Sequence, residues 1–428
     1  MIAGLIERVR PRVGAADAVL KTDETVAVTL PDREAPRLTR LTSAWCQLRV
    51  RHDGRVGYAG SITPGDWGAL LESALVSAGA GEAEDLLLPA PAALPAVVTH
   101  QPRAAAATPA EVVDLARLLA QRLERAGRRV DGWAERSTGT VEVANTRDVL
   151  VRYEATLVGV GARIRCEGRE ATVLDLHHAS VGWPEASDLD RLASEADRRL
   201  NVTRLEAGVG VERVCFAPPA ACALLRALAQ GLVAGAMLDG LWPFRRRVGE
   251  RVVPEGLTFT DDPLAPGRPG SRPADDEGVA SRTLPLIERG RLVAGIADLG
   301  SGLRHGLPST GHGRRLPFAP PRPSFSNLVL SPGNASEVEL LSATGDGVLL
   351  ADLPSPCGSS VEGRIAVATP WAYRVAEGAV VGRLPPVMLR GNVYHMLEHL
   401  VAVGHEALWC GACCSPGLVL DEIELVPG

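Results

Sequence analysis

Histidines and cysteines that could bind a metal ion are concentrated near the C-terminus. His395 and His399 are spaced by one helical turn, and Cys410 follows in the same stretch, which also contains His405, Glu406, Cys413 and Cys414. Histidine nitrogen and cysteine thiolate are common zinc ligands, but a structural site needs four ligands on defined turns. This stretch runs from a predicted helix straight into a short strand, which favours clustering without a metal. A structural zinc site, or a catalytic metal held by His395, His399 and Cys410, is the alternative.

A long apolar segment in the middle of the chain is predicted to form one helix from Pro218 to Leu238. A zinc hydrolase commonly places His-Glu-x-x-His or His-Glu-x-x-x-His on such a helix, because ligands one turn apart share a face and can bind one ion. Neither pattern occurs in this segment. Cys222 and Arg226 lie one turn apart, and Cys222 is interpreted as a small buried apolar residue rather than a ligand.

Three adjacent carboxylates, those of Asp275, Asp276 and Glu277, precede Gly278. Such a run could bind a cation or meet a cationic group of a partner. Most charge runs are instead solvated turns, and this is the simpler interpretation, with Arg272 as a local ion-pair partner. The sequence contains no Gly-x-Ser-x-Gly motif, no P-loop and no dinucleotide-binding glycine pattern.

Composition narrows the class of protein. The 428 residues, 46% of them hydrophobic, predict two domains, 1–205 and 206–428. The net charge of −6, without any Lys/Arg-rich tract, argues against nucleic acid as a partner. The longest apolar stretch is interrupted by charged residues and the start lacks signal-peptide features, so we expect no membrane partner. The eight cysteines do not form a dense disulfide framework, which indicates a reduced, cytoplasmic protein.

The first domain is predicted to combine helices with antiparallel strands. Strand-rich stretches are predicted near 17–30 and 45–58, and within the second a turn at His52 to Gly54 joins the runs 46–50 and 55–60 as a hairpin. A turn at Asn145 to Asp148 joins two longer strands. The residues Thr108-Pro109-Ala110-Glu111 are typical of a capping box at the start of a helix. The predicted helices cover Ile2–Arg10, Pro64–Ala78, Pro109–Ala126 and Ala186–Leu200.

The second domain has a different pattern, in which short β-prone runs are separated by glycine and proline. The predicted fold class is therefore α+β. It consists of an N-terminal α/β domain with an antiparallel sheet and helices, and a C-terminal β-rich domain, barrel- or sandwich-like, with one long helix.

Several motifs in the second domain belong together. Asp262-Pro263 is followed by Gly-Ser-Arg-Pro-x-Asp-Asp-Glu-Gly over 270–278, by Thr283, and by Ile-Glu-x-Gly-x-Leu over 287–292. The turn Val-Ala-Asn-Thr-Arg at 143–147 accompanies them. With these motifs the sequence resembles the TldD/TldE (PmbA) family over essentially its whole length, more weakly before about Val130.

The resemblance implies a function. The family includes a zinc-bearing TldD type and a TldE type that lacks the zinc motif, and this chain is similar to TldE. We therefore expect no catalytic residue, metal or cofactor in this chain, and zinc in a TldD-like partner of a heterodimer. The pair would cleave unfolded peptides, including leader peptides of natural products. The loop with Arg272, Asp275, Asp276, Glu277 and Gly278 is expected to face the substrate or partner.

Two other functions stay open at this point. The chain could be an independent metalloenzyme that uses the C-terminal histidines and cysteines, or a homodimeric binding or assembly protein without any role in peptide cleavage.

Overall fold

The structure, a computed structural model, describes residues 2–32, 34–81, 83–166, 172–206, 208–239, 247–354 and 361–428. The chain divides into two units. The first consists of Met1–Ala196, Pro263–Arg282 and Ile296–Ser326, and the second of Asp197–Asp262, Thr283–Gly295 and Asn327–Gly428. The predicted division at 205/206 differs from this one, because two later segments return to the first unit. Cys357 lies outside the described residues.

Ten α-helices, numbered along the chain, occur in the described residues. They are α1 (Ala3–Val9), α2 (Trp67–Ala80), α3 (Pro102–Ala105), α4 (Pro109–Leu123), α5 (Ala186–Leu200), α6 (Pro218–Ala229), α7 (Ala234–Asp239), α8 (Leu299–His305), α9 (Glu337–Thr344) and α10 (Val393–Glu398). Two short 3-10 helices cover Arg10–Arg12 and Gln230–Leu232.

Strands are also numbered along the chain. Those of the first unit are β1 (Ala15–Leu30), β2 (Arg37–His52), β3 (Arg55–Ser61), β4 (Arg128–Asn145), β5 (Leu150–Cys166), β6 (Thr172–Ser180), β11 (Gly313–Leu316) and β12 (Ala319–Pro323). Those of the second unit are β7 (Val211–Phe216), β8 (Phe259–Asp261), β9 (Leu284–Glu288), β10 (Arg291–Leu292), β13 (Leu328–Leu330), β14 (Val348–Leu350), β15 (Arg364–Thr369), β16 (Ala372–Ala376), β17 (Ala379–Arg383), β18 (Val387–Asn392), β19 (Leu400–Trp409) and β20 (Cys413–Pro427).

The first unit is built on an antiparallel sheet with the strand order β3-β2-β1-β4-β5-β6. Its β2–β3 hairpin turns at Asp53 and Gly54, whose φ angles are 48° and 76°. Positive φ at both positions is the geometry that matches the right-handed twist of paired strands. The predicted hairpin turn is confirmed.

Helix α4 shows why the local sequence signals succeed in this unit. The Thr108 side chain accepts a hydrogen bond from the Glu111 backbone N–H, and the Glu111 carboxylate accepts one from the Thr108 backbone N–H. This reciprocal capping satisfies N–H groups that have no partner inside the helix. The helix buries an apolar face formed by Val112, Leu115, Ala116, Leu119 and Leu123.

The second unit contains a mixed sheet of twelve strands in which β20 pairs with β7, β13, β18 and β19. Strand β13 runs parallel to β20, and β14 runs parallel to β7, whereas most other pairs are antiparallel. The two sheets and their helices confirm the α+β class. The sequence also predicted a C-terminal domain dominated by strands, and the second unit contains the twelve-stranded sheet.

The prediction of one continuous helix from Pro218 to Leu238 is wrong. Helix α6 ends at Ala229, a 3-10 turn follows, and Val233 has φ −97° and ψ 135°, which is extended backbone, before α7 begins. Gly231 and the β-branched Val233 both have low helix propensity, which favours a break at this point. The apolar pattern continues across the break, so the sequence pattern did not reveal it. Across the described part of the chain, no helix has the length and apolarity needed to span a membrane.

Candidate functional site

The carboxylates of Asp275, Asp276 and Glu277 are buried in the first unit, with at most 2% of each residue exposed. Asp275 accepts hydrogen bonds from the backbone N–H groups of Glu277 and Val279 at 2.9 Å, and from Gly313 at 2.8 Å. These bonds fold the loop back on itself and join it to strand β11. The expectation of a solvated turn is therefore wrong, because the charges have partners inside the protein.

A quartet of buried charges lies beside this loop. Asp17 on β1 accepts hydrogen bonds from Arg49, its neighbour across the sheet on β2, and from Arg315 on β11. Arg49 also pairs with Glu277 at 2.8 Å between NH1 and Oε1. All four side chains are at most 4% exposed. Two carboxylates and two guanidiniums balance one another, which is the condition under which such charges are stable away from water.

Lys21 on β1, the single lysine of the chain, completes the cluster of charges. Its Nζ atom lies 2.7 Å from Asp276 Oδ1 and 2.8 Å from Oδ2. Asp276 Oδ2 also accepts the backbone N–H of Arg315 at 2.9 Å. The loop is thus bonded to β1 and β11 through one carboxylate.

Burial and neighbouring charges shift the pKa values of these carboxylates in different directions. Burial alone would raise the pKa of Asp17, but Arg315 and Arg49 outweigh burial and hold that pKa below its ordinary value. For Asp276, Lys21 likewise outweighs burial, and its pKa is lowered. Burial and the charge of Glu277 raise the pKa of Asp275 to about 7, against the lowering effect of its backbone hydrogen bonds.

Glu277 connects the charge cluster to a cavity of about 290 Å³. Its Oε2 atom accepts the backbone N–H of Leu299, at the start of α8, at 2.7 Å. The cavity is lined by charged and apolar groups, among them Arg49, Tyr58, Glu84, Leu299, Arg304 and Arg322. A cavity of this size and mixed lining is large enough for a single side chain of a peptide.

The loop residues named from the sequence therefore lie together, but they face inward. Arg272 is buried, and its NH2 group donates to the Ser324 backbone carbonyl at 3.3 Å. Gly278 has φ 82°, and a Cβ atom there would lie 2.9 Å from Val149 Cγ1. Contact of this loop with a substrate or partner stays a prediction.

Sequence reasoning missed four residues of the site, Asp17, Lys21, Arg49 and Arg315. A signal for two of them was present, because Asp17 and Arg49 lie among apolar residues of predicted strands. Charged residues are seldom fully buried unless they are paired. Arg315 lies 298 positions from Asp17, and no local pattern connects the two.

The C-terminal histidines do not converge on one point. His395 is 70% exposed and pairs with Glu398 at 3.5 Å, whereas His399 pairs with Glu422 at 3.4 Å. Within the described ranges, no group of three or more His, Cys, Asp or Glu residues is arranged to hold a metal ion. His395, His399 and Cys410 are therefore not brought together as a ligand set.

Helix α6 has few side chains that could bind a zinc ion. All residues from Ala220 to Leu225 are buried, and the helix has no His, Asp or Glu. Hydrogen bonds to Cys410 and Cys413, together with burial, raise the pKa of the Cys222 thiol well above its ordinary value. A zinc ligand must be a thiolate, and Arg226, one turn away, adds positive charge. The donor set of this helix does not fit zinc.

Comparison with known proteins defines the family. Residues 210–426 match the PmbA/TldA metallopeptidase C-terminal domain, and residues 102–203 match the central domain of the same group. The chain therefore belongs to the PmbA/TldD family of metallopeptidases.

Curated relatives agree with this assignment. A metalloprotease of Methanothermobacter thermautotrophicus is 29% identical over 45% of this chain and 42% of its own length. A TldD homolog of Haemophilus influenzae is 26% identical over 42% of this chain and 41% of its own length. The matches thus span less than half of these two relatives.

The fold itself matches over the whole chain. TldE from Thermococcus kodakarensis has a TM-score of 0.89 at 20% identity, covering 99% of both chains. A putative modulator of a DNA gyrase from Thermotoga maritima has a TM-score of 0.88 at 18% identity, also covering 99% of both chains.

Proposed function

We propose that this chain is the metal-free, TldE-like subunit of a heterodimeric metallopeptidase. In this proposal a TldD-like subunit supplies the zinc, and the pair acts in the cytoplasm on unfolded peptides, including leader peptides removed during natural-product maturation. The observation that carries the proposal is the composition of α6, whose buried face consists of alanine, leucine and cysteine. Membership in a metallopeptidase family and the fold shared with a TldE support it.

Zinc hydrolysis requires three protein ligands and an open position for water. The raised pKa of Cys222 and the nearby Arg226 make α6 a poor source of such ligands, which supports hydrolysis on another chain. In this proposal the catalytic partner holds the water-activating ion, and both subunits contribute to the substrate site.

This subunit would help to bind the peptide substrate and to exclude folded proteins. An extended peptide can pair with a sheet edge through main-chain hydrogen bonds, which are independent of side-chain sequence. The loop from Arg272 to Gly278 would act indirectly, since its buried carboxylates hold Leu299 and Arg315, and with them α8 and β11. Helix α8 forms part of the cavity wall.

The test is reconstitution with a TldD-like, zinc-bearing family member from the same organism. An unstructured peptide is incubated with each purified chain and with the mixture, and cleavage is followed by mass spectrometry. We expect cleavage by the mixture, its loss when the partner's motif glutamate is changed to glutamine, and no cleavage by this chain. Cleavage by this chain alone, abolished by a chelator, would refute the proposal.

Elemental analysis provides an independent measurement. Protein purified without chelator is expected to contain zinc only in the partner subunit. Stoichiometric zinc in this chain, lost in a His399→Ala or Cys410→Ser variant, would instead establish it as a metalloenzyme in its own right. A stable homodimer that does not co-elute with the zinc-bearing subunit in size-exclusion chromatography would equally contradict a heterodimeric peptidase.

A further inference from the structure

Three cysteine side chains meet in the second unit, at the turn between β19 and β20. Cys410 and Cys413 lie opposite each other, because the N–H of each donates to the carbonyl of the other, at 2.7 and 3.3 Å. Gly411 between them has φ 62°, which permits the tight turn. Cys222 on α6 donates its thiol to the Cys413 carbonyl at 3.5 Å.

The three cysteines converge on one carbonyl group. The Cys413 carbonyl oxygen accepts the Cys410 backbone N–H at 2.7 Å and the Cys222 thiol at 3.5 Å. Cys413 Sγ lies 3.9 Å from the Cys222 carbonyl oxygen. The helix is further joined to the turn by Arg226, whose NH2 group donates to the Cys410 carbonyl at 2.5 Å. A disulfide forms only between cysteines that lie close together, and these contacts hold Cys222 against the turn that carries Cys410.

The three thiols differ in solvent accessibility, and this difference determines which cysteine reacts first with an external reagent. Cys222 and Cys413 are 0% exposed, whereas Cys410 is half-buried. The pKa of the Cys222 thiol is raised well above its ordinary value, so at neutral pH it is protonated and a poor first nucleophile. A small external reagent therefore meets Cys410 first.

We propose that Cys410 and Cys222 form an intramolecular disulfide on exposure to a low-molecular-weight disulfide such as glutathione disulfide. The Cys410 thiolate attacks one sulfur of glutathione disulfide, forms a mixed disulfide and releases one glutathione. Cys222 then loses its proton to water, attacks Cys410 Sγ and expels the second glutathione. The two cysteines lose two electrons and two protons, and one disulfide reagent becomes two thiols.

The bond would join α6 to the turn before β20. Residues 222 and 410 are far apart in sequence, so the cross-link restricts a long loop of the unfolded chain and stabilises the oxidised protein. Because the second step needs the Cys222 thiolate, its rate is expected to rise with pH above neutrality. The inference stands independently of the peptidase assignment.

The experiment treats the purified full-length chain with glutathione disulfide at pH 7 and pH 9. Free thiols are then alkylated, and the protein is analysed by intact mass and by peptide mapping. The expected product carries two fewer alkyl groups than the untreated chain, contains a Cys222–Cys410 linked peptide, forms faster at pH 9, and unfolds at a temperature a few degrees higher.

Matched variants decide the assignment. Cys410→Ser and Cys222→Ala are each expected to abolish the linked peptide, with Cys222→Ala leaving a stable glutathione adduct on Cys410. Cys46→Ser, at a buried cysteine of the first unit, is expected to leave the bond unchanged. A persistent glutathione adduct on the unmodified chain, or a disulfide that joins any other pair of cysteines, would overturn the proposal.

Discussion

Replacing Asp17 with asparagine is expected to destabilise the first unit strongly. The change removes one charge from the buried quartet and leaves an excess positive charge at Arg49 and Arg315. Arg315 is 0% exposed, and its Nε and NH1 atoms have no hydrogen-bond partner among the described residues, so its bond to Asp17 is the main compensation for burial. Breaking a buried ion pair by removing one partner typically costs about 3–5 kcal/mol.

A matched control is available on the same sheet. Asp175 on β6 pairs with Arg163 on β5 directly across the strands, at 2.8 and 3.1 Å, as Asp17 pairs with Arg49. Both side chains of the control pair are more than half exposed, at 57% and 58%. An exposed pair is screened by water, so Asp175→Asn is expected to cost less than about 1 kcal/mol.

The measurement is equilibrium unfolding in urea, with hydrogen exchange of β1 and β2 amides to locate the effect in the first unit. Asp17→Asn is expected to lower the free energy of unfolding by several times the loss seen for Asp175→Asn. Adding Arg315→Met to Asp17→Asn should recover about 1–3 kcal/mol, because it removes the unpaired charge. Equal losses for the two asparagine variants, or no recovery in the double variant, would refute the reasoning.

Three further predictions concern single residues. Thr108→Ala removes the bond to the Glu111 N–H and is expected to cost about 1 kcal/mol in urea unfolding; no change would show that the capping box contributes nothing. Gly60→Ala places a Cβ atom 1.6 Å from the Pro317 carbonyl oxygen, so the β11–β12 hairpin must shift, at a cost of about 1–3 kcal/mol; unaltered hydrogen exchange in that hairpin would contradict this. Because the pKa of Asp275 is raised to about 7, the folded state keeps a proton that the unfolded state releases near its ordinary value of 3.8, and the resulting stability is lost as pH rises towards 7. The free energy of unfolding should therefore fall between pH 5 and pH 8 more steeply than in Asp275→Asn, and equal slopes would contradict the shift.

Local sequence signals predicted local structure well. The capping box at Thr108, the turn at Asp53 and Gly54, and helix α5 over Ala186–Leu200 all depend on residues within a few positions of one another. The break at Val233 was missed because apolar periodicity continues through it. Periodicity indicates which face is buried and carries little information on where a helix ends.

The candidate site was located only in part. The motif over 270–278 identified the loop, but its carboxylates were interpreted as solvated because adjacent charges usually are. Their partners are Lys21, Arg49 and the β11 backbone, which are distant in sequence. Burial of this kind depends on tertiary structure, and one sequence without such information cannot distinguish it from a surface turn.

The chain passes repeatedly between its two units, since Pro263–Arg282 and Ile296–Ser326 return to the first. During synthesis on the ribosome, the N-terminal sheet and its Asp17–Arg49 pair can form early, but the buried quartet is complete only after Glu277 and Arg315 have emerged. A fragment that stops near residue 205 would lack the loop, the hairpin and α8, and would expose Asp17 and Arg49 without their later partners. The unit is therefore completed after translation of about three quarters of the chain rather than half of it.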